Sequence, residues 1–189
     1  MLFRSDDVAA IIRDLKEERA TVLGESFGGT VALNFALRYP QMLERLVVVN
    51  SFPRYRKRLA IRIGVWLASG LTFRLLWPLR RGASIVGLLV DGVSREDRSR
   101  FWSAIRTVTG EAYARRLQLI SELDLDTRVS LIQAPTLFIA GDRDLLIPSA
   151  GEARSMAARM PNARVKVLEG AGHACLLGSR VRLEELLAE

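Results

Sequence analysis

The stretch ATVLGESFGGTVALNFALRYP, residues 20–40, constrains the fold more than any other part of the chain. Thr21, Val22 and Leu23 form a short apolar run stopped by Gly24, and beyond the glycines Phe27, Val31, Phe35 and Tyr39 recur every fourth position until Pro40. A run of strand length followed by the spacing of one helix face predicts strand, sharp turn and helix. The turn itself reads G-x-S-x-G, from Gly24 to Gly28, with Ser26 at its centre. Gly24 and Gly28 leave room for a strained backbone that projects the Ser26 side chain outward. The plainer alternative is a small-residue turn that lets helix and strand pack closely, with Gly28 and Gly29 the residues it needs.

Similar alternation runs through much of the chain. Val8, Ile11, Ile12 and Leu15 stand at i, i+3, i+4 and i+7 and predict an opening helix that Ser5 or Asp6 caps. Leu46 to Val49 (LVVV) is a second strand-length run with no polar interruption, as expected for a parallel strand covered on both faces. Thr136 to Ala140 and Val165 to Leu168 are two more, each ending in a glycine turn. Between them Ser149 and Glu152 have capping-box spacing for a helix that should stop near Pro161, and Leu183, Leu186 and Leu187 mark a last helix. Strands alternating with helices imply an α/β fold: a mostly parallel sheet with right-handed crossovers and helices on its faces. With 189 residues, 49% of them hydrophobic, the chain suits one core with an insertion.

The insertion is residues 53–128, where no convincing strand occurs, and the core is residues 1–52 and 129–189. Ser94 to Asp97 form a capping box, continued helically by Phe101, Trp102, Ile105 and Val108. Pro53 to Gly82 contains many Arg and Lys and no acidic residue, so most of the net charge of +7 is concentrated there. The uncharged run Ile63 to Phe73 has 11 residues, against the roughly 20 needed to span a bilayer. The segment therefore reads as a helical cap with its arginines in water, and secondarily as a surface for anionic lipid. No recognition motif accompanies the charge, so nucleic acid is not an expected partner.

Ser26 needs company to react. A serine hydroxyl is a poor nucleophile until a base takes its proton, and the base needs a third group to fix its tautomer. His173, the only histidine, lies in the turn EGAGH after the run Val165 to Leu168. GDRD, Gly141 to Asp144, follows the run Thr136 to Ala140; Asp144 is the favoured acid, and Asp142 is the competitor, otherwise a turn-capping side chain. The helix start beside Ser26 places the Phe27 N–H where an oxyanion would form. One histidine and one cysteine, Cys175, are too few for a conventional transition-metal site, and no glycine-rich phosphate loop is present, so no metal or cofactor is expected. Cys175 reads as a small buried side chain rather than a redox handle, and no intrachain disulfide can form. Asp6 and Asp7 interrupt the apolar run an export signal would need, so a cytoplasmic location is expected.

Taken together, the pieces DDVAAIIRDL, VLGESFGGTVALNFALRYP, RLVVVNS, APTLFIAGDRDLLIP and VLEGAGHACLL resemble the α/β-hydrolase superfamily, from about residue 6 to the end. The resemblance implies Ser26 as nucleophile, Asp144 as acid, His173 as base and residues 53–128 as a lid over an acyl pocket. It implies a serine hydrolase acting on an ester or related acyl compound. The lid's Ile61, Val65, Trp66, Leu67, Leu71, Phe73 and Trp77 suit a small substrate with an apolar part. Family members carry further strands ahead of the helix that begins here near Asp6, and often an HG-containing loop with a second oxyanion donor. The sequence reads as lacking those strands, and because its one histidine is His173 it has no HG motif either. The Thr21 to Leu23 strand is then expected at an open sheet edge prone to self-association. The rival expectation is a catalytically weak or inactive truncated hydrolase that binds a partner or a membrane.

Overall fold

The computed structural model describes residues 2–55, 93–177 and 182–188. Four apolar runs become four parallel strands, β1 (Ala20–Glu25), β2 (Leu43–Val49), β3 (Thr136–Gly141) and β4 (Ala163–Leu168), in the order β1-β2-β3-β4. Helices α1 (Leu2–Asp14), α2 (Phe27–Arg38) and α5 (Ser149–Ala157) flank the sheet, with α6 (Leu183–Ala188) against its other face. The predicted parallel α/β sheet with helices on its faces is the observed architecture. Two helices of the insertion, α3 (Arg95–Arg106) and α4 (Gly110–Glu122), lie among the described residues.

Strand β2 shows why an uninterrupted run reads as a central strand. Leu46 and Val48 join one cluster with Val22, Leu33, Phe35, Phe138 and Met156, while Val47 and Val49 join another with Leu137, Ile139 and Leu186. Both faces are thus dry, and each fully buried aliphatic side chain contributes about 1.5–3 kcal/mol. Strand β1 stands at the end of the order and leaves Thr21 and Leu23 exposed. The register aligns Glu25 with Val49, and Gly141 with Leu168, so the residues that follow all four strands gather at one rim.

Several local expectations change. Strand β1 runs through Gly24 to Glu25 rather than stopping at the glycine, because its pairing with β2 continues. The first helix begins before Ser5 and Asp6; Ser5 is buried inside it and accepts a bond from Asn34 Nδ2 at 3.0 Å. Ala9 and Ile12 face the core, whereas Ile11 and Leu15 of the proposed stripe are exposed. Ser149 does not cap α5: it is the first helical residue, Pro148 holds the cap position, and the helix ends at Ala157. Ser94 does cap α3, accepting the Asp97 N–H at 3.0 Å. The insertion is tied at its root, where the Leu125 N–H donates to Pro53 O at 2.9 Å and Arg54 forms a bridge and an ion pair with Asp124. The apolar lid residues Ile61 to Trp77 and most of the basic stretch lie outside the described residues. Among the described residues no helix is long and apolar enough to cross a membrane.

Candidate active site

A single residue, Ser26, makes the passage from β1 to α2. It does so at φ 55 and ψ −119. Such a backbone costs a non-glycine residue on the order of 1–3 kcal/mol and persists only when its surroundings impose it. Here the Ser26 N–H donates to Val49 O at 2.8 Å, and Ser26 O accepts the Gly29 N–H at 3.0 Å and the Ser51 hydroxyl at 2.7 Å. A Cβ on Gly24 would strike the Gly28 carbonyl, and one on Gly29 would lie 2.5 Å from Ser51 Cβ. Nothing lies within 4 Å of a Cβ on Gly28. The glycines that close packing requires are therefore Gly24 and Gly29, and the expected steric part for Gly28 is not found.

The turn after β3 brings in the acid. Asp144 Oδ1 accepts the N–H groups of Leu146 and Ile147 at 2.9 and 3.1 Å, and Oδ2 accepts the Ser149 hydroxyl and lies 2.7 Å from His173 Nδ1. Asp142 Oδ1 instead accepts the Gly170 N–H at 2.7 Å, tying the acid turn to the turn before His173. Of the two candidate acids, the structure brings Asp144 to the imidazole. On the other side of the ring, His173 Nε2 lies 2.7 Å from Ser26 Oγ. The His173 and Asp144 side chains are only 6% and 1% exposed, so bulk water does not compete for this pair.

Burial works to push the Asp144 carboxyl up, but the bonds from His173, Ser149 and Ile147 outweigh it and hold the group below the ordinary carboxylate range. At neutral pH it is an anion and only accepts. The shared proton then sits on His173 Nδ1, and the Nε2 lone pair faces the Ser26 hydroxyl. Phe27, first in α2, puts its N–H among those that lack an intrahelical partner, at the positive end of the helix. The Arg116 guanidinium of α4 stands 6.0 Å from the Phe27 ring centre, so the insertion reaches over this turn. Serine, imidazole and carboxylate in this order are an arrangement able to move one proton off a hydroxyl and hold the resulting charge.

A family model described as the alpha/beta hydrolase fold matches residues 2–178. The chain belongs to the alpha/beta hydrolase fold family. It is 32% identical to the pimeloyl-[acyl-carrier protein] methyl ester esterase of Xanthomonas campestris pv. campestris (strain B100), with 89% of this chain and 69% of that protein covered. It is 28% identical to RutD of Serratia proteamaculans (strain 568), over 90% of this chain and 64% of RutD, so the chain spans under two thirds of that relative's length. Among solved structures, an esterase (EaEST) from Exiguobacterium antarcticum superposes with a TM-score of 0.80 at 18% identity, covering 97% of this chain and 70% of the other.

Three residues of this alpha/beta hydrolase site were missed in the sequence. Asn50, immediately after β2, is buried at φ 43; its Oδ1 accepts the Gly141 N–H at 2.8 Å and its Nδ2 donates to Gly172 O and His173 O at 3.1 and 2.6 Å. One side chain thereby fixes the end of the acid strand to the histidine loop. Its only sequence signal is its type, since asparagine tolerates a left-handed backbone at a strand end. Ser149 carries the capping-box signal, yet its hydroxyl serves Asp144. Glu25, the residue before Ser26, is the third. Cys175 is a buried free thiol, as expected, pushed up to about 12 by burial and then by the charge of Glu25, so it remains a neutral thiol.

Burial raises the Glu25 carboxyl above its ordinary value, against the opposing pull of the Leu176 N–H and the His173 charge. The folded state therefore binds this proton more tightly than the unfolded state, and stability declines as pH rises from the unfolded value of 4.5 through the raised folded value. Glu25→Gln is expected to raise the thermal midpoint at neutral pH and to have little effect well below pH 4.5. Melting curves at the two pH values check this.

Proposed function

We propose that the chain is a serine hydrolase that cleaves an ester or related acyl bond of a small, partly apolar substrate. The single observation that carries the reading is the continuous contact from Ser26 Oγ through His173 to Asp144, with 2.7 Å on either side of the ring. Ser26 Oγ attacks the acyl carbon as His173 Nε2 takes its proton, and Asp144 stabilises the imidazolium. The Phe27 N–H, at the positive end of α2, donates to the oxyanion of the tetrahedral intermediate. The imidazolium gives its proton to the departing alcohol, leaving an acyl-Ser26 ester. Water then attacks that ester with His173 again as base, releasing the acid and restoring the hydroxyl. The methyl ester esterase in the name of the 32% identical relative supports the ester class.

A fluorophosphonate probe tests the reading, because it labels only a serine activated by its neighbours. The expected result is labelling of the wild-type protein at Ser26 and none in Ser26→Ala. Well-folded wild-type protein that takes no label, or equal labelling of Ser26→Ala, would defeat it and leave a non-catalytic binding module as the function.

A further inference from the structure

Ser149 is 2% exposed, and its hydroxyl donates to Asp144 Oδ2. Helix α5 does not need that hydroxyl. Pro148 holds the cap position, and the Glu152 N–H that a capping serine at this spacing would take goes to Pro148 O at 3.0 Å. Nor does the orientation of the acid require it. The Leu146 and Ile147 N–H groups, at 2.9 and 3.1 Å, both hold Oδ1, and two donors on one oxygen already set the carboxyl plane. What the hydroxyl shares is the oxygen that faces the base, since His173 Nδ1 stands 2.7 Å from the same Oδ2. An ionised carboxylate offers about four acceptor positions, and the two bonds on each oxygen fill them. A neutral donor on Oδ2 draws negative charge away from the imidazole, so it competes with an imidazolium for that oxygen.

We propose that Ser149 is a positioning residue that acts on the base through the acid: by holding Asp144 Oδ2 it weakens the carboxylate's grip on the imidazolium, and so keeps His173 Nε2 free to act as base to lower pH. The catalytic consequence rests on the serine-hydrolase reading, whereas the effect on the imidazole does not. Without the hydroxyl, the charge on Oδ2 is undiluted, the imidazolium is stabilised and Nε2 takes its proton at higher pH. A hydroxyl that only held the carboxylate in place would act in the opposite sense, because its loss would loosen the contact between acid and imidazole. Glu25, at the end of β1, and Cys175, two residues past His173, also act electrostatically on this pair. Asp142 and Arg116 stand nearby, turned to the Gly170 N–H and the Phe27 ring. All four are unchanged between wild type and a Ser149 variant, so the difference reads Ser149 alone.

His173 is the only histidine in the chain, so NMR of protein prepared without a histidine tag follows its titration with no assignment. That titration and the pH profile of kcat/KM on 4-nitrophenyl acetate are read in wild type, in Ser149→Ala and in Ser149→Thr, which keeps the hydroxyl. Asp144 retains three bonds in Ser149→Ala, so the variant is expected to fold. Its imidazole midpoint is expected to rise by about half a pH unit or more, and the acidic limb of kcat/KM with it. That is a loss of about threefold or more on the limb, with the plateau kcat within about twofold. Ser149→Thr is expected to stay within about 0.2 pH units of wild type in both readouts. An unchanged or lowered midpoint in Ser149→Ala overturns the proposal, as does an equal rise in Ser149→Thr; the alanine comparison decides even where the threonine variant does not fold. A raised midpoint with no movement of the acidic limb overturns the bearing on catalysis. Wild-type protein that the fluorophosphonate probe does not label defeats the hydrolase reading, while the imidazole titration still decides what Ser149 does to the base.

Discussion

Replacing His173 with alanine is expected to lower kcat on an activated ester by about 10⁴- to 10⁶-fold, with KM within a few-fold. The imidazole is the group within 2.7 Å of Ser26 Oγ, and the chain holds no second histidine to replace it. The substitution should not unfold the protein. Asp144 would lose one partner but keep the Leu146 and Ile147 N–H groups and the Ser149 hydroxyl, so the buried carboxylate stays solvated by the fold. Steady-state kinetics beside a circular dichroism melt separates the two effects. A His173→Ala variant within tenfold of wild type would place the base elsewhere.

Asn50→Ala is the second large expected effect, and it acts on stability and activity together. Removing the amide leaves the buried Gly141 N–H without this acceptor and takes a donor from the Gly172 and His173 carbonyls. A buried polar group stripped of its partner costs about 1–3 kcal/mol, so the sum is about 3 kcal/mol or more. Alanine is also poorly suited to the positive φ at this position. Urea denaturation should show a midpoint shifted down, and kcat should fall because the Asn50 amide holds the carbonyls of Gly172 and His173 themselves, whereas the Asp142 and Arg143 ties reach the loop earlier, at Gly170 and Ala171. Asn50→Asp sharpens the test: it keeps an acceptor for Gly141 but turns a carboxylate oxygen toward two carbonyls. It should be less stable than Asn50→Ala above the carboxyl's titration and recover as pH falls.

The sequence was most informative where chemistry depends on short-range order. Ser26, Asp144 and His173 each follow a β-rich run, and parallel register alone brings the ends of such runs to one rim, so their meeting follows from pattern plus topology. The apolar run Leu46 to Val49 announced a strand covered on both faces for the same local reason. What stayed hidden depends on contacts between distant parts of the chain. Asn50 matters because of backbone groups 91 to 123 positions away, and no window of sequence encodes those partners. Gly28 and Gly29 look alike in sequence, yet only Gly29 faces Ser51. Ser149 has the spacing of a cap, and a nearby carboxylate redirects its hydroxyl. The α4 helix, opened by Thr109, was not singled out at all, although its Arg116 reaches the Phe27 ring.

The knot at the base of the insertion has a consequence for how such a protein diversifies. Pro53 and Leu125 are joined by a backbone bond, and Arg54 and Asp124 are paired beside it, so the outgoing and returning chains are stapled together where they leave the sheet. Whatever loop is spliced between those two points inherits a ready-made closure, and the entropy of bringing its ends together grows only slowly with its length. Doubling the length of that stretch then adds only about 0.6 kcal/mol to the cost of closing it, so the sheet can carry stretches of very different size between the same two points.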